Sequence, residues 1–148
     1  MSSTNAGAAE AAWGALPVGR EALLDAARSA YARAYSPYSR VKVGAALVDR
    51  EGRVFAGCNV ENASHGLTVC AERNAIGRAV VEGAAELLAV AIASDRGDPL
   101  MPCGACRQVL TEFAPEMLVA TVGVDGAVVL ARLDELLPQA FTPRDLHR

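Results

Sequence analysis

The sequence predicts a single α/β domain built on a mixed sheet of five strands, and three observations lead to this fold class. The chain has 148 residues, 52% of them hydrophobic, which is enough for one compact core. Segments with helical periodicity alternate with strand-like segments, which is typical of α/β domains. The apolar run "ELLAVAIAS" at 86–94 is continuous and has the length of a strand, so we place it at the centre of the sheet.

The first half of the chain is predicted to contain a leader, a helix and a hairpin. Residues 1–17 lack the positively charged start and apolar run of a signal peptide, and we expect a flexible leader there. Residues 18–34 carry apolar side chains at helical spacing, and Pro37 ends that pattern. The segments "VKVGAALVD" and "RVFAGCNVE" flank "REG", which predicts a β-hairpin closed around Gly52.

The second half alternates helices and strands. After the loop "NASHGLT", the segment "VCAERNAIGRAVVEG" is predicted to form a helix that stops near Gly83. The strand at 86–94 comes next, and a second helix, "CGACRQVLTEFA", ends at Pro115. "MLVATVG" and "AVVLARL" are predicted as strands around "VDG", and "DELLPQAFTPRDL" as a short helix and tail. The sequence shows no repeat and no linker, so residues 18–148 are taken as one domain.

Composition argues against several classes of partner. The net charge is −3 at pH 7 and there is no basic tract, so we expect no nucleic-acid partner. No stretch is long and apolar enough to span a membrane. The lack of a secretion signal predicts a cytoplasmic protein. In that reducing compartment, clustered cysteines are expected to bind metal or act in catalysis rather than form disulfides.

Three of the four cysteines carry the strongest chemical signal. "PCGAC" places Cys103 and Cys106 three residues apart at a predicted helix start, a spacing that lets both sulfurs hold one tetrahedral metal. This pair alone also fits a redox-active pair or two core thiols. Cys70 lies at the start of another predicted helix, so three sulfurs can reach one Zn²⁺. Three protein ligands and an open fourth position are typical of catalytic zinc, whereas structural zinc uses four protein ligands.

Glu72 follows Cys70 by two residues in "TVCAERNAI". Residues two apart on a helix do not face each other, so Glu72 is poorly placed as a fourth ligand but can reach a water in front of the helix end. That position suits a general acid/base. Three thiolates also need charge compensation, which helix N-termini and either Arg73 or Arg107 can supply. The alternative for both arginines is a solvated helix face.

The segments "CAER" and "PCGACRQVL" resemble the zinc-dependent nucleoside deaminases, and most of all the small homotetrameric cytidine deaminases. "YSPYS", "VGAAL", "GCNVENAS" and "ELLPQAFTPRDL" extend the resemblance over roughly residues 18 to 147. It implies a three-layer αβα fold and one Zn²⁺ per chain. The implied reaction is hydrolytic deamination of cytidine and 2′-deoxycytidine to uridine and 2′-deoxyuridine, in sites shared between the subunits of a tetramer.

The resemblance also implies roles for individual residues. The three cysteines match the zinc ligands and Glu72 matches the proton shuttle. Independently of the resemblance, a solvated face is the less favoured interpretation for Arg73, which makes it the better placed arginine for a thiolate. Asn59 and Glu61 match a pair that hydrogen-bonds a ribose hydroxyl; without the resemblance, a solvated strand edge is the simpler interpretation. The backbone around Ala63 and Ala71, with the Glu72 side chain, would contact the edge of the cytosine ring.

Three further positions concern the pocket wall. Phe141, in "QAFTP", matches an aromatic residue that reaches the site of a neighbouring subunit. The chain departs from the usual pattern at Val41, where many relatives have Phe against the pyrimidine, and at His65, where many have Tyr. Both departures reduce the aromatic lining, so they are expected to affect affinity and substrate range rather than the chemistry.

Three other functions remain open on the sequence alone. Relatives that deaminate blasticidin S share "CAE" and the Pro-Cys-Gly-x-Cys-Arg-Gln pattern but lack the acidic residue seen here as Glu61. A polynucleotide deaminase fits less well, because such enzymes typically have His in place of Cys70 and need a basic surface. A redox or zinc-storage protein that uses Cys103 and Cys106 is the alternative from another class, and it would have no activity on cytidine.

Overall fold

The computed structural model describes residues 3–146, with side chains from residue 7 onward. The helices are α1 (Ser3–Gly14), α2 (Arg20–Tyr31), α3 (Ala71–Val81), α4 (Gly104–Phe113), α5 (Leu133–Leu136) and α6 (Pro143–Leu146). The strands are β1 (Val43–Asp49), β2 (Val54–Cys58), β3 (Leu87–Ser94), β4 (Leu118–Val122) and β5 (Val128–Arg132). A short 3₁₀ helix spans His65–Leu67. Within residues 3–146, no helix is long and apolar enough to cross a membrane.

The five strands form one mixed sheet in the order β2-β1-β3-β4-β5, which confirms the predicted fold class. β3 lies at the centre, pairs antiparallel with β1 and parallel with β4, and is almost fully buried. The β1–β2 hairpin turns through Gly52, whose φ of 80° favours glycine. The sheet was predictable because each strand is an apolar run bounded by a turn signal.

Helices cover both faces of the sheet and complete three layers. α3 and α4 pack on the face that carries Val90 and Ile92 of β3, while α2 packs on the face that carries its alanines. Small residues on that second face let α2 approach closely. At Gly44, an added Cβ would lie 2.0 Å from the carbonyl oxygen of Ala27, so this contact requires glycine.

The structure differs from the expectation of a flexible leader. α1 packs against β4 and β5, and Trp13 is only 3% exposed. α2 lies mainly over β1 and β3. The apolar surface of β4 and β5 on the same face of the sheet is therefore left for α1 to bury. Arg20 also pairs with Glu10 at 2.6 Å, which ties α1 to the start of α2. The alanine-rich leader has no clear apolar stripe, so its helix depends on this tertiary contact.

A buried carboxylate anchors the hairpin end of the sheet. Asp49 is fully buried and accepts hydrogen bonds from the backbone N–H groups of Glu51, Arg53 and Ala85 at 2.9–3.1 Å. The Arg53 guanidinium donates to the same carboxylate at 3.0 Å and to the carbonyl of Gly83 at 2.8 Å. One side chain therefore connects the β1–β2 turn to the chain between α3 and β3.

We expect Asp49→Ala to lower the free energy of unfolding at pH 7 by about 3 kcal/mol, because it removes the shared acceptor of several partly buried donors. Hydrogen bonds from Ala85 and Arg53 outweigh the cost of burial and hold the pKa of Asp49 below its ordinary value. A lowered folded-state pKa contributes stability above the unfolded pKa of about 3.9, and that contribution is lost as pH falls through the folded value.

Urea unfolding of the wild type and Asp49→Ala at several pH values measures this effect. The difference between them should narrow as pH drops below about 4. Exposed Asp98 supplies the control, since Asp98→Ala should change the unfolding free energy by less than about 0.5 kcal/mol. A pH-independent difference between wild type and Asp49→Ala would contradict the role of the carboxylate charge.

Candidate active site

The predicted metal ligands come together where two helices begin. Cys70 immediately precedes α3, Cys103 immediately precedes α4, and Cys106 lies in the first turn of α4. Because α3 leads back into β3 and α4 leads away from it, both helix N-termini lie beyond the carboxyl end of the central strand. The three sulfur atoms lie within 4.8 Å of one another.

Close contact between β2 and α3 helps to position this helix start. An added Cβ on Gly57 would lie 2.5 Å from the backbone nitrogen of Ala75 and 2.8 Å from the carbonyl oxygen of Ala71. A side chain at Gly57 would therefore push away the helix whose first turn borders the sulfur cluster.

The sulfur geometry fits a zinc ion. Two Zn–S bonds of about 2.3 Å at a tetrahedral angle separate the sulfurs by about 3.8 Å. The Sγ atoms of Cys70 and Cys103 are 3.9 Å apart, close to that distance and too far for a disulfide. No His, Asp or Glu side chain within residues 3–146 joins the three cysteines as a fourth ligand. Three soft ligands with an open position are the catalytic arrangement of zinc.

The electrostatics of the cluster favour a thiolate. A hydrogen bond from Cys106 lowers the pKa of Cys70 to about 5, and hydrogen bonds from Arg73 and Cys103 add to this effect. The same pairing and burial raise the pKa of Cys106. Both helix N-termini place positive partial charge at the cluster, which further stabilises negative sulfur. Hydrogen bonds and helix ends at the cluster therefore favour the deprotonated form of the Cys70 sulfur.

The two arginines that follow ligands have different roles. The Nη2 atom of Arg73 lies 3.9 Å from the Cys70 sulfur and donates to the carbonyl of Thr68 at 3.1 Å. Its Nε is buried and has no hydrogen-bond partner among the described residues. Arg107 instead donates to the carbonyls of Pro102 and Leu136, at 2.8 and 3.0 Å. Arg107 therefore connects the start of α4 to the end of α5. The sequence predicted neither of these two contacts.

Glu72 lies in the first turn of α3 and is only 4% exposed. Burial raises the pKa of its carboxyl group, the negative charge of Cys70 acts in the same direction, and a hydrogen bond from its own backbone N–H opposes them. The carboxyl group is not part of the sulfur cluster. Ala71 begins the same helix, where backbone N–H groups have no intrahelical acceptor and are free to contact a ligand.

The segment around Val60 runs beside the sulfur cluster. β2 ends at Cys58, and Val60 then exchanges two backbone hydrogen bonds of 2.9 Å with Val69, the residue before Cys70. Val60 also bridges to Tyr35 on its other side. These bridges place the residues on either side of Val60 between the loop after α2 and the start of α3.

Asn59 and Glu61 both hold the loop after α2, so neither is a plain solvated edge. The Asn59 amide accepts from the backbone N–H of Val43 and donates to the carbonyl of Val41, each at 2.8 Å. The Glu61 carboxylate accepts from the backbone N–H groups of Tyr38 and Ser39 at 2.9 and 3.3 Å, and from the Ser39 hydroxyl. The hydrogen bond from the Ser39 hydroxyl is the largest of the effects that hold the pKa of Glu61 below its ordinary value.

The remaining predicted residues are less enclosed. Ala63 and His65 are exposed, and Val41 is half-buried. The His65 ring contacts the Tyr38 ring edge-on, with centroids 5.7 Å apart. Phe141 is 59% exposed, and its carbonyl accepts from the Gln108 side chain at 2.8 Å, which holds the C-terminal segment on α4.

Sequence reasoning did not single out Tyr38, Ser39 or Gln108. All three lie in segments already noted, "YSPYS" and "PCGACRQVL", but their contacts join parts of the chain that are distant in sequence. Only the folded structure brings these side chains to their partners.

Comparison with known proteins identifies the family. The model of the cytidine and deoxycytidylate deaminase zinc-binding region matches residues 18–122, which begin after α1. A cytidine deaminase of Halalkalibacterium halodurans is 45% identical over 129 residues, covering 86% of this chain and 98% of that protein. A cytidine deaminase of Mycobacterium tuberculosis is 48% identical over 122 residues, covering 82% of this chain and 89% of that protein.

Solved structures agree with the sequence matches. The crystal structure of a cytidine deaminase from Burkholderia pseudomallei has a TM-score of 0.81 and 46% identity, covering 84% of this chain and 100% of that one. The cytidine deaminase from Mycobacterium tuberculosis has a TM-score of 0.74 and 45% identity, covering 84% of this chain and 98% of that one. The chain belongs to the cytidine and deoxycytidylate deaminase family.

Proposed function

We propose that the protein catalyses the zinc-dependent hydrolysis of cytidine and 2′-deoxycytidine to uridine and 2′-deoxyuridine, with release of ammonia. The observation that carries the proposal is a buried glutamate, Glu72, beside three clustered cysteines in a chain of this family. An assay with cytidine, 2′-deoxycytidine and blasticidin S, followed by ultraviolet absorbance, tests it. Activity on blasticidin S alone would contradict the proposal. Two relatives with 45% and 48% identity are cytidine deaminases, which favours cytidine as the substrate.

The proposed chemistry uses Glu72 as a proton carrier. Zn²⁺ held by the three cysteines supplies Lewis-acid activation of a water molecule. The Glu72 carboxylate takes a proton from water and gives it to ring nitrogen 3, while the water oxygen bonds to carbon 4. Glu72 then takes the remaining proton from the oxygen on carbon 4 and passes it to the amino group. The bond from carbon 4 to the amino nitrogen breaks, ammonia leaves and the carbonyl of uridine forms. Burial raises the pKa of Glu72 above its ordinary value, a direction that favours uptake of a proton by the carboxylate.

Substrate contacts are proposed from the neighbouring loops. The first turn of α3 at Ala71, whose backbone N–H groups have no intrahelical acceptor, would contact the cytosine edge together with the backbone near Ala63. Asn59 and Glu61 would bind a ribose hydroxyl. Asn59 also holds the backbone on either side of Lys42, so it shapes the wall as well.

Val41 and His65 would line the nucleoside pocket, with less aromatic surface than many relatives have at these two positions. We expect Val41→Phe to lower KM for cytidine about two- to tenfold with little change in kcat, because stacking on an aromatic ring contributes about 0.5–1.5 kcal/mol beyond burial. In competition between cytidine and a 5-substituted analogue, the variant should discriminate against the analogue more strongly than the wild type does.

Val81→Phe, at the exposed C-terminal end of α3 opposite the sulfur cluster, is the matched control for Val41→Phe and should leave both constants unchanged. An unchanged KM and an unchanged choice of analogue in Val41→Phe would mean that the Val41 side chain does not face the base.

We also propose a cytoplasmic homotetramer with shared sites. Phe141 is 59% exposed on the single chain although it is a large aromatic residue, which fits contact with a neighbouring subunit. The free thiols of the metal cluster fit a reducing compartment. Light scattering should give four times the mass of the 15.4 kDa chain, and Phe141→Ala should raise KM for cytidine. A monomer with full activity would contradict both the tetramer and the sites shared between subunits.

A further inference from the structure

The hydroxyl of Ser39 lies between two groups proposed to contact the substrate. It donates to Oε1 of Glu61 and accepts from the backbone N–H of Val41 at 3.0 Å. A hydroxyl group has a single hydrogen. Because the Val41 N–H occupies an acceptor position of the Ser39 oxygen, that hydrogen is available for the carboxylate, and the two bonds support each other.

The Glu61 carboxylate is held almost completely by this loop. A carboxylate offers about four acceptor positions. The backbone N–H groups of Tyr38 and Ser39 and the Ser39 hydroxyl occupy three of them. About one position is left for a donor on a ligand. An exposed glutamate with free rotation would lose conformational entropy when it binds a hydroxyl, whereas one already fixed by three bonds loses little.

The loop itself is strained at the next residue. Arg40 has a φ of 57° and is the one non-glycine residue with a positive φ in the part of the chain that the structure describes. Such a conformation persists only where surrounding contacts hold it. Ser39 and Glu61 hold the N-terminal side of Arg40, and Asn59 holds the carbonyl of Val41 on the other side.

We propose that Ser39 is a positioning residue, which orients the Glu61 carboxylate toward a sugar hydroxyl and joins it to the segment that lines the base. The inference rests on the proposed function, because it assumes that Glu61 binds the nucleoside sugar. It adds that substrate recognition depends on a side chain that does not itself contact the substrate.

Kinetics of Ser39→Ala test the proposal. KM for cytidine should rise about five- to tenfold, the effect of one lost hydrogen bond, while kcat stays within about twofold. Ser39→Thr keeps the hydroxyl and should retain the wild-type KM within about twofold. Ser29→Ala, on the exposed side of α2, is the matched control and should behave as wild type.

Substrate analogues separate positioning from a general loss of structure. 2′,3′-Dideoxycytidine and 5′-deoxycytidine each lack one hydroxyl that cytidine and 2′-deoxycytidine share. The analogue that is the poorer substrate of the wild type identifies the hydroxyl bound by Glu61. On that analogue, Ser39→Ala and wild type should have equal kcat/KM. An equal loss on all substrates, or a loss confined to kcat, would overturn the proposal.

A double-mutant cycle completes the test and separates the role of Ser39 from the proposed sugar contact of Glu61. Glu61→Ala is expected to lower kcat/KM for cytidine about ten- to a hundredfold, and Ser39→Ala with Glu61→Ala should be no worse. Additive losses would show that Ser39 acts independently of Glu61. If Glu61→Ala has no effect, the proposed sugar contact fails; if it has an effect but Ser39→Ala has none, the role of Ser39 alone fails.

Discussion

Glu72→Gln is expected to lower kcat for cytidine by at least about 10²-fold, the lower range for loss of general acid–base catalysis. Glutamine has nearly the same size and shape as glutamate, so the first turn of α3 should remain intact. It cannot accept and release a proton in the reaction. Since Glu72 is buried outside the sulfur cluster, the variant should keep its metal and still bind nucleoside.

Three measurements on the purified variant check this expectation: turnover of cytidine, zinc content and calorimetric binding of cytidine. Glu112→Gln, on the exposed side of α4, makes the same chemical change without entering the site and should leave all three unchanged. Near-normal turnover in Glu72→Gln would mean that another group carries the proton.

Cys103→Ala is expected to lose metal and activity together. A thiolate ligand contributes directly to metal affinity, and the remaining pair, Cys70 and Cys106, leaves two coordination positions open. Cys103 is exposed and precedes α4, so its replacement removes a ligand without opening a core cavity. We therefore expect the fold to remain while zinc per chain falls from one toward zero.

Elemental analysis after dialysis, together with circular dichroism, distinguishes metal loss from unfolding. Cys58→Ala is the matched control, because Cys58 is a half-buried cysteine outside the cluster, and it should keep both zinc and activity. Full zinc occupancy in a folded Cys103→Ala protein would exclude the three-cysteine site.

The central sheet and the helix starts at Cys70 and Cys103 were predictable from the sequence by local physics. A buried strand must be apolar on both faces, as "ELLAVAIAS" is, and a tight turn needs a residue such as Gly52 that tolerates positive φ. The two cysteines three residues apart lie on one helix end by backbone geometry alone. The meeting of Cys70 with that pair was inferred from the positions of the three cysteines at predicted helix starts, and the resemblance implied the same ligands. The sulfur distances agree with it.

Tertiary structure alone decided the long-range contacts around the site. The sequence favoured Arg73 as the arginine beside a cysteine sulfur, and Arg73 lies there, but the bonds of Arg107 to two carbonyls follow only from the packed structure. Ser39 meets Glu61 across 22 positions of the chain, and the α1 helix depends on a sheet face formed by β4 and β5 more than 100 residues later. Hydrophobic periodicity and turn chemistry act between neighbours along the chain and so determine elements. Hydrogen bonds of long polar side chains depend on atoms brought together only after those elements pack, so these contacts follow from the fold as a whole.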